Sequence, residues 1–171
     1  IRLLEAVERG AELDRLEKSD PGGYVHQVRL YEGLGHWMNK KDAEAVPWMA
    51  GFQRNPWPKK VVWQQDDVVH RRFYWLQIPE GIEVRDRAKI VASVNGQAIS
   101  IAGDVPDTLR LRLSDTLVDL DRPIMVTVNG RPAFSGSVTR HAGAILASLA
   151  ERSDPTSAAT ALLSISGAVS P

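Results

Sequence analysis

Four histidines, no cysteine and a scatter of acids are what this 171-residue chain offers for chemistry. Lack of cysteine excludes disulfides, thiolate metal sites and a cysteine nucleophile. His36 stands out by its setting. It follows Glu32-Gly33-Leu34-Gly35, where glycines permit a tight backbone path, and such a loop can point an imidazole away from its scaffold. A neutral imidazole placed there can take a proton from a serine hydroxyl and return it to a leaving group. That chemistry needs a nucleophile, which in a G-x-S-x-G turn would have glycine on both sides, and no serine of this chain does. It also needs an acid. Asp20, before Pro21-Gly22, and Glu32, beside the loop, are the two nearby candidates, although Asp before Pro-Gly is ordinarily turn chemistry.

The remaining candidates read as structural. His26 alternates with Val28 and Leu30 on one face of an extended run, the place of a packed or edge histidine. His70 and His141 have no partner at metal-ligand spacing, and there is no H-x-H or H-E-x-x-H. Asp115, Asp119 and Asp121 crowd one loop but lack the spacing and terminal Glu of a calcium loop, so turn and surface roles are expected. No metal and no cofactor is expected.

Lys+Arg and Asp+Glu both count 21, and eight basic and nine acidic residues precede Pro58. The chain therefore lacks the electrostatic footprint of a nucleic-acid binder, and neither part forms a basic arm or an acidic tail. No apolar run reaches the ~20 residues of a membrane span. At the start there is no Met, basic n-region or apolar h-region, and Ile1, Leu3, Leu4, Val7, Ala11 and Leu16 recur at helical spacing. These features read as the C-terminal piece of a longer protein, with a processed mature terminus as the alternative.

The elements that must position His36 fall in two parts, 1–58 and 59–167. Residues 1 to about 19 predict an amphipathic helix, ended by Asp20-Pro21-Gly22-Gly23. Val25–Tyr31 predicts a short strand. Asn39 reads as the N-cap of a helix through about Gln53, kinked or split at Pro47 and closed by Asn55-Pro56-Trp57-Pro58. Beyond Pro58, short β-branched and aromatic runs alternate with turns: Val61–Asp66, Arg72–Ile78, Lys89–Val94, Gln97–Ala102, Thr108–Leu113, Ile124–Val128 and Ala133–Val138. Asn95-Gly96 and Asn129-Gly130 predict type I′ hairpins. Seven such runs suggest an antiparallel β-sandwich, followed by a helix over Ala142–Arg152 and a last strand over Ala159–Ile165. All five Trp residues lie between Trp37 and Trp75, astride the boundary, and are expected to glue the parts together; a carbohydrate-stacking platform is the other role they suggest.

Tyr31-Glu32-Gly33-Leu34-Gly35-His36-Trp37-Met38, Val46-Pro47-Trp48-Met49 and Arg54-Asn55-Pro56-Trp57-Pro58 together resemble the C-terminal end of a bacterial α/β-hydrolase. The likeness is to carboxylesterase, phospholipase-like and dienelactone-hydrolase-like members with an extra C-terminal β domain. Val61-Val62-Trp63 and Arg72-Phe73-Tyr74-Trp75-Leu76 are similar to the link into that domain. Leu113-Ser114-Asp115, Val118-Asp119-Leu120 and Val126-Thr127-Val128-Asn129-Gly130 are similar to its interior. The resemblance implies an α+β fragment: the last helix–strand–helix of the catalytic domain over 1–58, then an antiparallel β-sandwich with one C-terminal helix over 59–167. It implies that His36 is the triad histidine and that the parent hydrolyses a small ester or related acyl bond, with Ser and Asp supplied by the missing remainder of the catalytic domain. Relatives of this kind make export plausible, with no signal in this chain. The chain alone is then expected to be inactive, and strand 25–31, deprived of its sheet, to pair with another chain or to lie against the β domain. A non-catalytic β-sandwich module for binding, of glycans for example, and a structural cap on the catalytic domain are the rival expectations.

Overall fold

The structure, a computed structural model, describes residues 2–167; Ile1 and the end of the Ser/Ala-rich tail, 168–171, lie outside the described residues. The chain divides after Gln53 into two compact units.

The first unit opens with helix α1 (Arg2–Ser19). It stops where expected, with the Gly22 N–H donating to the Glu17 carboxylate and the Gly23 N–H to the Asp20 carbonyl. Val25–Tyr31 does not become a strand: it is extended chain without a ladder among the described residues, because no second strand of the first unit is there to pair with it. Side chains hold it instead. A Cβ on Gly10 of α1 would come within 3.3 Å of Val28, so the missing side chain at Gly10 lets the segment approach closely. His26 reaches Asp14 of α1, and Arg29 and Tyr31 both bind Glu44.

The predicted helix from Asn39 to Gln53 is also corrected. A 3₁₀ segment spans Met38–Glu44, and α2 covers only Ala45–Ala50. Asn39 is not a cap but has a left-handed backbone, φ 50°, between Met38 at 43° and Lys40 at 61°. The run is split just ahead of Pro47, which falls in the first turn of α2, where a missing N–H is tolerated.

The second unit is β-rich. Its strands are β1 (Lys60–Gln64), β2 (Arg72–Phe73), β3 (Leu76–Gln77), β4 (Lys89–Asn95), β5 (Ala98–Gly103), β6 (Thr108–Leu113), β7 (Ile124–Val128), β8 (Arg131–Gly136) and, after helix α3 (Ala142–Arg152), β9 (Ala161–Ser166). The run Arg72–Ile78 is a tight hairpin rather than one strand, turning at Tyr74, φ 52°. Five strands form one sheet in the order β1-β4-β5-β7-β8 and four form another in the order β2-β3-β6-β9. Every pairing is antiparallel except β5 with β7, which is parallel because the chain leaves for β6 in the other sheet before returning. This is an α+β architecture with three helices and two mostly antiparallel sheets.

Asn129 and Gly130 both have positive φ, as a type I′ turn requires. The other hairpin differs. Asn95 pairs with Ala98, so Gly96 and Gln97 make the turn, and positive φ at Gly96 alone is the type II′ pattern.

Alternation decides the core. Val61 and Trp63, Ile90 and Ala92, Ile99 and Ile101, Ile124 and Val126 from the five-stranded sheet join Leu109, Leu111, Leu113 and Ile165 from the other in one buried cluster. Trp57, Trp63 and Trp75 belong to it as well, so these three indoles are part of the interior of the second unit. Two of these indole N–H groups find backbone acceptors: Trp57 donates to the Thr156 carbonyl and Trp75 to the Pro58 carbonyl, each at 2.8 Å. Burial of Trp57 moves the structural boundary ahead of the Asn55–Pro58 segment, from Pro58 to Gln53.

Candidate functional site

His36 stands on the loop that the sequence suggests. Gly33 takes φ 70° and the Met38 N–H donates to the Gly35 carbonyl, so the chain turns tightly on both sides of His36. The imidazole is exposed, edge-on to Trp37 with ring centroids 5.2 Å apart. Trp37 itself is 82% exposed. Among the described residues His36 has no hydrogen bond and no ion pair, so neither nitrogen is committed.

The acid candidates are not brought to it. Asp20 lies in the turn that ends α1, its carboxylate beside Gly23, and Glu32 is exposed in the loop with no contact to the ring. A positioned general base needs a group that orients its second nitrogen, and none of the described residues does so. Directly beyond Trp37 come the three left-handed residues Met38, Asn39 and Lys40. A side chain in that region costs on the order of 1 kcal/mol per residue, so three in succession store real strain.

The other histidines are structural. His26 is half-buried, with Nδ1 2.8 Å from the Tyr24 carbonyl and Nε2 3.1 Å from Asp14. His70 closes a loop: its N–H donates to the buried Gln65 side chain, whose amide donates back to the His70 carbonyl. Nδ1 of His141 caps α3 by accepting from the Ala144 N–H at 3.1 Å.

Asp115, Asp119 and Asp121 are held by protein groups. Arg140 Nε donates to Asp115 at 2.9 Å and Nη1 to Asp121 at 2.7 Å, while Asp119 accepts from the Asp121 N–H. The hydrogen bond from Arg140 draws the Asp115 carboxyl below its ordinary range. Among the described residues no group of three or more His, Asp or Glu stands where it could hold a metal ion, and no helix is long and apolar enough to cross a membrane.

One cluster has no counterpart in the sequence motifs. Arg72 and Arg112, almost wholly buried, share a single oxygen of Glu151 on α3 at 2.7 and 3.3 Å. Only the Leu109-Arg110-Leu111-Arg112-Leu113 alternation signals it, by placing arginines on one face of a strand whose other face is core.

Compared with protein-family models, with curated proteins and with solved structures, the chain gives no match.

Proposed function

We propose that the chain is the C-terminal part of a serine hydrolase of the α/β-hydrolase fold, with His36 as the histidine of a Ser-His-Asp triad. The observation that carries this reading is the Gly-x-Gly-His order within the aromatic blocks of 31–58, on a loop that presents His36 with both nitrogens uncommitted. Two features support it. No apolar side chain of the first unit is buried among those described, while Val25, Val28, Leu30, Val46, Met49 and Phe52 are exposed, which suits a segment that packs against other parts of a catalytic domain. Strained backbone directly after His36-Trp37 is also the kind that concentrates at functional groups. In this reading the second unit is an appended β-sandwich, its two sheets meeting through their inner faces.

In the parent enzyme His36 would take the serine hydroxyl proton as Oγ bonds to the acyl carbon. Collapse of the tetrahedral intermediate breaks the bond to the leaving oxygen, which receives the proton from His36. Water then attacks the acyl-enzyme by the same proton relay, releasing the acid and restoring serine. The chemistry calls for no cofactor. Serine and acid come from the remainder of the catalytic domain, so the 171-residue chain alone is inactive.

Fluorophosphonate labelling of the full-length gene product, with and without His36→Ala, tests this when the adduct is mapped to a peptide. Support is a label on an upstream G-x-S-x-G serine that disappears in the variant. A label that persists removes His36 from the triad, and no label on well-folded protein overturns the hydrolase. That last outcome would favour a non-catalytic β module for binding, the reading that a buried core drawn entirely from the second unit favours.

A further inference from the structure

The outer face of the four-stranded sheet carries a cross-strand row. Arg72 of β2 pairs with Gln77 of β3, Gln77 with Arg110 of β6, and Arg110 with Ser164 of β9. Directly opposed residues share a face, so these four side chains stand side by side, opposite the core-facing Leu109 and Leu111. Arg112 stands on the same face two residues on, and α3 covers it: Arg112 Nη2 donates to Ser148 at 2.8 Å and Nη1 lies 3.3 Å from Glu151. Beside α3 the row opens into a cavity of about 570 Å³, walled also by Ile78, Pro79, Ala147 and Leu162.

The charges of this cavity do not balance. Arg71 is matched by Glu80 at 3.1 Å and by the Pro79 and Ile82 carbonyls. That leaves Arg72, Arg110 and Arg112 facing one carboxylate, Glu151. Arg112 is 3% exposed and its Nε has no hydrogen-bond partner. Arg72 Nη1 lies 2.7 Å from Glu151 but makes no well-aligned N–H···O bond. Among the described residues the guanidinium of Arg110, half-buried in the middle of the row, has neither a hydrogen bond nor an ion pair. Burial and the neighbouring Arg72 push the Arg112 guanidinium down to about 10, the mark of a cation short of counter-charge.

We propose that this cavity binds a phosphate monoester, with the phosphoryl group between Arg72 and Arg110 and the organic part along Ile78, Pro79 and Leu162. Three guanidiniums against one carboxylate leave an excess of two positive charges, which a phosphate monoester dianion neutralises. Guanidinium forks match phosphoryl oxygens in pairs, Gln77 adds a neutral donor in the same row, and the size is ordinary for a small-molecule site. Arg112 acts from behind, through its charge. The inference is independent of the hydrolase reading, because no residue of the first unit takes part.

The test is calorimetric and NMR titration of the 171-residue chain with phenyl phosphate, inorganic phosphate and benzoate at neutral pH and constant ionic strength. Saturable binding of phenyl phosphate is expected, tighter than either inorganic phosphate or benzoate, with shifts confined to the row and α3. Arg110→Gln, which breaks no side-chain hydrogen bond or ion pair among the described residues, is expected to weaken it about tenfold, the worth of one charge-assisted hydrogen bond. The exposed Arg131→Gln should leave it unchanged. Phenyl phosphate should also raise the melting temperature of the parent chain more than that of Arg110→Gln. Absence of saturation, equal affinity in Arg110→Gln, or benzoate binding as tightly as phenyl phosphate each overturns the proposal.

Discussion

At the scale of single residues, an arginine does what the Asp115–Asp121 loop leaves open for a cation. Arg140 holds Asp115 through two nitrogens and Asp121 through a third, so the acids of this loop are partners of a side chain. The sign of the pH effect follows. Hydrogen bonding from Arg140 lowers the folded-state Asp115 carboxyl below its unfolded value. The stabilisation is therefore complete above the ordinary carboxylate range and fades as pH falls through the folded value. Urea unfolding of Arg140→Ala should show lower stability than the parent at neutral pH, with the gap closing in strong acid. A gap that stays constant with pH would mean the contact contributes nothing. The pair is exposed, so the effect is small.

At the scale of elements, α3 is fixed at three points along its length. His141 caps its start, Ser148 accepts from Arg112 and the Ala159 N–H while donating to the Ala144 carbonyl, and Glu151 receives Arg72 and Arg112 near its end. Burial works against the Glu151 carboxylate, yet Arg72 and Arg112 outweigh it and hold its pKa below the ordinary value. Glu151→Gln removes the only carboxylate that faces the two buried guanidiniums among the described residues. Breaking such a pair is costly, and with Glu151 partly exposed we expect a loss of about 2 kcal/mol. Denaturant titration would measure it, and a loss no larger than that of Arg140→Ala would show that the buried arginines do not depend on Glu151. The segment 25–31 teaches the opposite lesson about elements. Its alternation is as regular as that of β4, but a strand exists only with a neighbour, and among the described residues it has none.

At the scale of the whole molecule, the buried apolar side chains all belong to one unit. From Trp57 to Ile165 they form a shared core, whereas α1, the extended segment and α2 contribute no buried apolar side chain among those described. The two units should therefore separate in stability. A fragment of residues 54–171 is expected to unfold cooperatively at about the same denaturant midpoint as the parent. Residues 1–53 alone should show little fixed tertiary structure, read as a narrow dispersion of amide NMR signals. A cooperative transition of 1–53 by itself would contradict this, and would weaken the view that the unit needs an absent partner.

What the sequence determines by itself is local. The alternation that makes β1, β4 and β7, the ends of α1 and α3, the turn at Asn129-Gly130 and the loop before His36 each depend on a few neighbouring residues, and each is legible in them. The resemblance around His36 is legible too, but the proposed triad is a meeting of distant residues, of which His36 would be one. Tertiary structure alone decides which strands meet. It splits Arg72–Ile78 into a hairpin, runs β5 parallel to β7, gives Val25–Tyr31 no partner strand among the described residues, and sets Arg72 and Arg110, 38 positions apart, in one row with Gln77 between them. The physical reason is that a ladder satisfies backbone groups between strands distant in sequence, so pairing is chosen by the whole core and by nothing local.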